Sequence, residues 1–374
     1  MTDRGDTKLV KQLLQDRIQG VCHWLLPDGR RVGSNWRCNN PKLDAPGQTP
    51  EMRVYFSGVV GSWKDFRSGD KGDVVRLIEY IHDTDFVGAM RLAKDFLGLG
   101  RLSADERRKF EDAAAKRQEV AAKKAKKKED RKRMHCEKRF LEAALFGAGS
   151  PAEVHARRYW SETRGIDIGR VENLDRTSFR FSPSVEYWRM SEYRPDPETG
   201  RLTKVKEGPR FPAILCAMRS VLGQFVDHHV TFLDHVRADK VDLGPKQNPR
   251  LMACPNAGSV IRISHGPEGK LPEHSEEPHP LILAEGVETA LSLALALPEC
   301  RVWACGSISG IKNAPVTFPF VSEIYVAGEN DWDKPQARKS LEAALDALEQ
   351  SGKPLELMRS HVGSDFNDLM KEDQ

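Results

Sequence analysis

The pattern of apolar and polar positions is clearest in the C-terminal quarter of the chain. A short apolar run at residues 281–284 has the length of a strand, stops at Glu285, and is followed by apolar residues at helical spacing. A second run, residues 324–327, stops at the polar segment 328–333, and Pro335 then stands where the first turn of a helix tolerates proline. The pattern predicts the same strand, turn and helix unit twice.

The N-terminal region, residues 1–99, has the pattern of a small β-sheet followed by helices. Pro27-Asp28-Gly29 is a turn signal between apolar flanks and predicts a hairpin. Alternation in residues 52–56 predicts a strand. A helix is then predicted from apolar positions at helical spacing, which are Val74, Leu77, Ile78 and Ile81.

The middle of the chain, residues 140–263, has a mixed pattern. A helix is predicted to end at Gly165, and strands are predicted in SFRFSPSVEYW, FPAILCAM and GQFVDHHVTFLD. Residues 267–280 are polar and rich in proline, which predicts a linker before the C-terminal region.

Composition excludes some classes of protein. With 39% hydrophobic and 30% charged residues, the chain has an ordinary globular composition. It has no apolar run of about twenty residues, and its start lacks the features of a signal peptide, so we expect no membrane association and a cytoplasmic location.

Charge is unevenly distributed. The formal net charge is only +3, but residues 101–139 contain 16 Lys and Arg against 8 Asp and Glu. These residues favour a long exposed helix, with Ser103 and Glu106 as a capping box. The helix would be either an arm that contacts nucleic-acid phosphates or a solvated spacer.

Acidic residues follow both predicted C-terminal strands. Glu285 follows the first, and Glu329, Asp331 and Asp333 follow the second. Because parallel sheets present ligand-binding groups at the carboxyl ends of their strands, these carboxylates could converge on one crevice, where a hard cation would neutralise them. Mg²⁺ is the natural ion, since it prefers oxygen ligands and is often held with substrate phosphates, and the site suggests phosphoryl or nucleotidyl transfer. The alternative is a solvated acidic loop, with Asp333 serving the start of a helix.

Three segments in this order, AEGVETALS, ENDWD and SDFNDLM, resemble the motifs of a Toprim domain, the metal-binding fold of bacterial-type primases, topoisomerases and some nucleases. The resemblance implies that Glu285 is a catalytic acid/base or metal-side carboxylate and Asp331 a metal ligand with a catalytic role. Glu329 stands where the family usually has its first aspartate, and Asp333 would compensate for that departure. Asp365 would complete the metal shell.

The last motif has a second interpretation. Asp365 and Asp368 could instead form a capped turn that leads into a short terminal helix.

Two further segments resemble parts of phage and plasmid primases. GSWKDFRSGDKGDVVRLI resembles their N-terminal zinc-ribbon module without its cysteines, so packing must replace the metal. Trp63 and Phe66 are therefore expected to be core residues, with base stacking as the alternative, and Lys64, Arg67 and Lys71 could contact phosphates. The order RGI, FRF, FPAI and HHVTFLD resembles the basic half of the primase core. That resemblance implies that Lys246 and Arg262 face the cleft and hold nucleotide or template phosphates.

Cysteine and histidine usage gives no clear site. The seven cysteines include no C-x-x-C, so neither a disulfide framework nor a zinc site at Cys22, His23 and Cys38 is favoured. His228, His229 and His235 are expected to be ordinary hydrogen-bonded histidines. We therefore expect Mg²⁺ or Mn²⁺ as cofactor, and no zinc.

The predicted fold class is α/β and α+β multidomain. It comprises a small α+β N-terminal module, a mixed α+β basic subdomain and a C-terminal Toprim-type parallel sheet flanked by helices. The expected domains are a degenerate zinc-ribbon-like DNA-binding module, a basic helical linker, a basic primase-like subdomain and a Toprim domain, at residues 1–100, 101–139, 140–275 and 276–374.

The predicted function is template-directed synthesis of short RNA primers for a phage, plasmid or other mobile element. Single-stranded DNA and ribonucleoside triphosphates would be the partners. A separate helicase is also expected, because the sequence lacks a G-x-x-x-x-G-K-[ST] loop. The alternatives are a Toprim nuclease and a non-catalytic DNA-binding accessory or regulator of replication.

Overall fold

The computed structural model describes residues 4–43, 50–99, 104–196, 202–330 and 335–372. The chain divides into two compact units, Met1–Lys126 and Lys127–Gln374. Among the described residues, no helix combines the length and apolar character needed to cross a bilayer.

The first unit packs helices against an antiparallel sheet with strand order β1-β2-β3-β4-β5. Its buried core includes Trp36, Met52, Trp63 and Leu77, so apolar packing supports this module. In chain order its elements are α1 (Arg4–Asp16), α2 (Ile18–Leu25), β1 (Arg30–Val32), β2 (Asn35–Cys38), β3 (Met52–Tyr55), β4 (Trp63–Asp65), β5 (Lys71–Gly72), α3 (Val74–His82) and α4 (Phe86–Leu97).

Two expectations for the first unit are wrong. The turn at residues 27–29 joins α2 to β1, and the hairpin lies one turn later, where Val32 pairs with Asn35 and Gly33 has a φ of +61°. Trp63 is buried as expected, but Phe66 is 51% exposed. Phe66 comes directly after β4, so the alternation of buried and exposed side chains that turns Trp63 inward has ended before it.

The long basic helix is present as α5 (Ala104–Glu142). Most of its described side chains are exposed, and i,i+4 ion pairs such as Glu119 with Lys123 lie along its surface. Near its end the character changes, because Cys136 and Phe140 are buried. The end of α5 therefore packs as part of the second unit.

The second unit contains an antiparallel sheet with strand order β12-β11-β10-β7-β6. The predicted strands in this region are confirmed, and the predicted helix continues past α6 as a π-helical turn, Tyr159–Thr163. A separate two-stranded sheet, β8 with β9, is formed by the chain between β7 and β10. The elements are β6 (Ala144–Leu145), α6 (Pro151–Arg158), β7 (Phe179–Glu186), β8 (Glu192–Pro195), β9 (Leu202–Lys206), β10 (Arg210–Arg219), β11 (Phe225–Phe232) and β12 (Arg250–Leu251).

A second sheet follows, with strand order β13-β15-β14-β16-β17. β14, β15, β16 and β17 are parallel, and β13 is antiparallel at the edge. Both predicted strand, turn and helix units are present, and α9 begins at Pro335 as expected. The elements are β13 (Ile261–Ser264), β14 (His279–Ala284), α7 (Val287–Ala296), β15 (Arg301–Ala304), α8 (Ile308–Lys312), β16 (Val321–Gly328), α9 (Pro335–Glu349), β17 (Leu355–Arg359) and α10 (Phe366–Glu372). The predicted fold class is confirmed.

The two larger sheets of the second unit share one hydrophobic core. Phe179 and Ile214 of the first sheet belong to the same buried cluster as Ile282 of the second and Leu291 of α7. The segment 267–280, expected to be a linker, is held in place by ion pairs, among them Glu268 with His279. Its polar residues pair with one another and with the sheet, which composition alone does not reveal.

Candidate active site at the carboxyl edge of the parallel sheet

Two carboxylates follow neighbouring strands of the parallel sheet. Glu285 comes directly after β14 and Glu329 directly after β16, and the register of these strands pairs Ala284 with Ala327. Adjacent strands lie about 4.8 Å apart, and both glutamates line one cavity. Burial and the negative charge of Glu285 raise the pKa of the Cys305 thiol at the end of the next strand. The edge of the sheet is therefore acidic.

The turn after β17 is fixed to the same edge by Asn330. The Asn330 side-chain amide donates hydrogen bonds to the carbonyls of Ser360 and Gly363, each at 2.9 Å, and its backbone N–H donates to Ser364 at 2.8 Å. Asn330, the residue after Glu329, thus holds in place the loop that leads to Asp365. Asp331 and Asp333, the other predicted ligands, lie outside the described residues.

The trailing acidic motif forms a capped turn. Asp365 accepts hydrogen bonds from the backbone N–H groups of Asn367 and Asp368 at the start of α10. Asp368 accepts from the backbone and hydroxyl of Ser364, and these bonds hold the pKa of Asp368 below its usual range. The structure thus gives both aspartates the capping role, and leaves Asp365 beside the loop that Asn330 anchors.

In the first turn of α7, a buried glutamate lies in a hydrogen-bond and ion-pair network that the motif alone does not reveal. Glu288 is 6% exposed, lies 2.8 Å from the ammonium of Lys240 and accepts a 2.6 Å hydrogen bond from the Tyr159 hydroxyl. Burial alone would raise the pKa of Glu288, but the charge and hydrogen bond of Lys240, with the bond from Tyr159, hold it below its usual range. Glu288 is therefore ionised, and Lys240 is its counter-charge.

This network joins distant parts of the second unit. The Arg164 guanidinium donates to the Tyr159 hydroxyl at 3.0 Å. The buried Asn367 donates to the Arg164 carbonyl at 2.7 Å and to the Ser292 hydroxyl at 3.1 Å, and Ser292 donates to the Glu288 carbonyl at 3.1 Å. The last motif is thereby bound to the helix that follows Glu285.

Comparison with known families identifies the parallel-sheet region. Residues 280–373 match the family model of the Toprim domain. These residues form a Toprim domain. Residues 131–263 match a family described as a domain of unknown function (DUF7146). No curated protein matches the chain.

Solved structures similar to the chain include DnaG-type primases. The zinc-binding and RNA polymerase domains of the Aquifex aeolicus primase share 15% identity over 99% of this chain and 83% of that one, with a TM-score of 0.37. A DnaG primase catalytic domain bound to ssDNA shares 15% identity over 64% and 74%, with a TM-score of 0.41. The RNA polymerase domain of Mycobacterium tuberculosis primase DnaG shares 15% identity over 65% and 79%, with a TM-score of 0.39. Similarities this distant do not identify an activity.

The two predicted phosphate-binding residues differ in their surroundings. Lys246 is exposed in a turn between β11 and β12. Arg262 is 2% exposed, pairs with Glu273 at 2.9 Å and donates to the Val221 carbonyl at 3.0 Å. A phosphate would have to displace Glu273 to reach Arg262, so the structure gives that arginine a packing role. The sequence does not reveal this because Glu273 lies in the segment read as a linker.

Lys240 and Tyr159 are the residues beside the Toprim domain that sequence reasoning missed. Both precede the domain by many residues, and neither belongs to a recognisable motif. Glu288 carried a weak signal, since it is the second acid of AEGVETALS.

The Glu288 network predicts a pH-dependent effect on stability. Glu288→Gln removes the counter-charge of a buried lysine and is expected to cost about 3 to 5 kcal/mol at neutral pH. Because the folded-state pKa of Glu288 lies below the ordinary 4.5, its stabilisation is complete above that pH and is lost as the pH falls through the lower value. The difference between wild type and variant should therefore narrow in acid, as measured by urea unfolding from about pH 7 to about pH 3.

The matched control is Glu299→Gln, which removes an exposed carboxylate from the same unit. It should follow the wild-type curve throughout. A difference between Glu288→Gln and wild type that stays constant with pH would contradict an ionised, lysine-paired Glu288.

Proposed function

We propose that this protein is a DNA primase-like nucleotidyltransferase that synthesises short RNA primers on single-stranded DNA. The reaction would be attack of the primer 3′-hydroxyl on the α-phosphate of an incoming ribonucleoside triphosphate, with release of pyrophosphate. Replication of a phage, plasmid or other mobile element would use these primers. Because the sequence lacks a helicase-type phosphate loop, a separate helicase would open the duplex.

The observation that carries the proposal is the pair Glu285 and Glu329 on one cavity of a Toprim domain. Support also comes from the motif order upstream of the domain, which resembles the basic half of a primase core. Asn330 and the trailing loop add a third segment to the same edge.

The donor set at this edge fits a hard divalent cation. Carboxylate oxygens are the ligands that Mg²⁺ and Mn²⁺ prefer, and Glu285 and Glu329 supply them from two strand ends. Asp365 is a further proposed ligand, as are Asp331 and Asp333 outside the described residues. When bound, such an ion would neutralise triphosphate charge. The protein's own contribution is to hold these carboxylates at fixed strand ends, with α7 anchored by the ion pair between Glu288 and Lys240.

Template binding would fall to cationic and aromatic groups away from the acidic edge. The α5 helix is rich in exposed lysine and arginine, which suits non-specific phosphate contact. In the first unit the guanidinium of Arg53 and the ammonium of Lys64 lie over the half-exposed ring of Phe66, 4.7 Å and 5.0 Å from its centroid. A base would stack on the part of the ring that these cations leave uncovered, with its phosphates beside the cations.

Substitution of the two glutamates tests catalysis. Glu285→Gln and Glu329→Gln should each lower primer synthesis by roughly a hundredfold or more, because each removes charge stabilisation at the reacting phosphates. Glu329→Asp should retain activity, since aspartate is the residue that the Toprim pattern usually has there. The measurement is incorporation of labelled ribonucleotides on single-stranded DNA with Mg²⁺ or Mn²⁺.

Glu299→Gln is again the control and should keep wild-type synthesis. Cleavage of the template without ribonucleotide incorporation would identify a Toprim nuclease instead. Unchanged behaviour of Glu285→Gln and Asp331→Asn in every assay would favour the non-catalytic accessory.

The Phe66 site predicts a defect in DNA binding alone. Phe66→Ala should weaken binding of the full-length protein to a single-stranded oligonucleotide by about 1 to 3 kcal/mol, because a stacked base loses its platform. Fluorescence anisotropy with a labelled oligonucleotide measures the dissociation constant.

Phe86→Ala is the matched control, since Phe86 is 41% exposed in the same unit and should leave binding unchanged. Equal affinities for both variants and wild type would remove Phe66 from the template path.

A further inference from the structure

A cluster of metal-ligating side chains lies in the second unit, on elements that the acidic edge does not use. Cys136 comes from the end of α5, Asp227 and His228 from β11, and Cys254 from the segment after β12. Cys136, Asp227 and His228 are buried, and one ligand atom from each lies within 4.8 Å of the other two. The sulfur of Cys254 lies 3.6 Å from that of Cys136. Three residues from two segments therefore share one small volume, and Cys254 adjoins it through its contact with Cys136.

Backbone hydrogen bonds fix this arrangement. One carboxylate oxygen of Asp227 accepts from the backbone N–H groups of Ala253 and Cys254, at 2.9 and 2.8 Å. The other lies 3.2 Å from Nδ1 of His228. The segment that carries Cys254 is thus held on Asp227, and the imidazole is oriented by the same carboxylate, as in the carboxylate and histidine pairs that support metal ions.

The cluster has unmet electrostatic and hydrogen-bonding needs. His228 is fully buried, and its Nε2 has no hydrogen-bond partner within the described residues. Across the same described ranges, the ion pairs of Asp227 include His228 but no lysine or arginine. A buried carboxylate without a fixed cation and a buried imidazole nitrogen without a partner are both costly. A divalent cation bound to Nε2 of His228 would give that nitrogen a partner and would balance the charge of Asp227 through the imidazole.

The sulfur separation is that of two thiols in contact, is too long for a disulfide bond, and is compatible with a shared metal ion. Two thiolates on one tetrahedral zinc, with bonds of about 2.3 Å, lie about 3.8 Å apart. A disulfide needs about 2.05 Å. The observed 3.6 Å is close to the first value, and thiolate with imidazole is the ligand set that selects zinc over magnesium.

We propose that Cys136, Cys254 and Nε2 of His228, whose ring Asp227 orients, bind zinc in a structural site that ties the end of α5 to the sheet that contains β11. The site is separate from the carboxylates of the acidic edge and uses a different class of ligand. It revises the expectation of no zinc, because its ligands have none of the paired spacings by which zinc sites are read from sequence.

Zinc content of the full-length protein tests the site. Protein purified with a thiol reductant and without chelator, then dialysed, should hold about one zinc per chain by plasma mass spectrometry. The double variant Cys136→Ser with Cys254→Ser should lose it. Cys300→Ser, which removes another buried thiol from the same unit, should retain it. Zinc that persists in the double variant would overturn the proposal.

A measurement on the wild-type chain covers the case in which the double variant fails to fold. X-ray absorption at the zinc edge should show sulfur ligands at about 2.3 Å together with lighter ligands. A shell of oxygen and nitrogen alone would place the ion elsewhere, for example on the acidic edge, and would overturn the site. A wild-type chain that binds no zinc even after incubation with the metal would also overturn it, whether or not a Cys136 to Cys254 disulfide is then found by peptide mass spectrometry.

Discussion

The parallel pairing of β14 with β16 is the constraint on which the site depends. With Ala284 opposite Ala327, the residues that leave the two strands emerge side by side, and a shift of one residue would turn each side chain to the other face. The apolar runs 281–284 and 324–327 are buried except for the half-buried Tyr325, so packing sets the register of the two strands. Glu285 and Glu329 therefore share a cavity because the apolar residues of β14 and β16, which take no part in catalysis, fix the pairing of the two strands.

Carboxylates gathered at one edge repel one another, and the surrounding structure must hold them. The Glu288 network supplies part of that support. Glu288 leaves the first turn of α7 and pairs with Lys240, while Asn367 ties α10 to the same helix through Ser292. A buried ion pair of this kind adds little net stability compared with apolar packing, but it penalises any arrangement that separates its partners. It thus fixes the helix after Glu285 against the region that precedes the Toprim domain.

Local pattern was enough to predict much of this architecture. The strand and helix units at residues 281–297 and 324–335 follow from hydrophobic periodicity and from the glycine, proline and polar residues that end each apolar run. The long exposed helix α5 follows from its composition. Pattern failed where the outcome depends on a partner far along the chain. Arg262 is neutralised by Glu273, inside a segment whose composition resembles a linker. Phe66 is exposed because β4 ends before it.

Two clusters outside the acidic motifs, the Glu288 network and the Cys136 cluster, could not be predicted because their residues are far apart along the chain. Tyr159 and Glu288 are 129 residues apart, and Cys136 and Cys254 are 118 apart. Neither pairing follows a spacing rule, since each exists only because β10 and β11 carry the intervening chain back across the unit.

The distribution of charge divides the tasks of the molecule. Under the proposed function, an anionic template and an anionic triphosphate would both be repelled by an edge that carries Glu285 and Glu329, and a bound cation would reverse that repulsion locally. Long-range attraction of DNA would then come from elsewhere, and residues 101–139 carry the excess of lysine and arginine while the remaining chain is net acidic. Cations on an extended helix act over about a Debye length of 8 to 10 Å. They can concentrate nucleic acid near the protein without occupying the cavity, so the acidic edge remains available to a metal ion and a nucleotide.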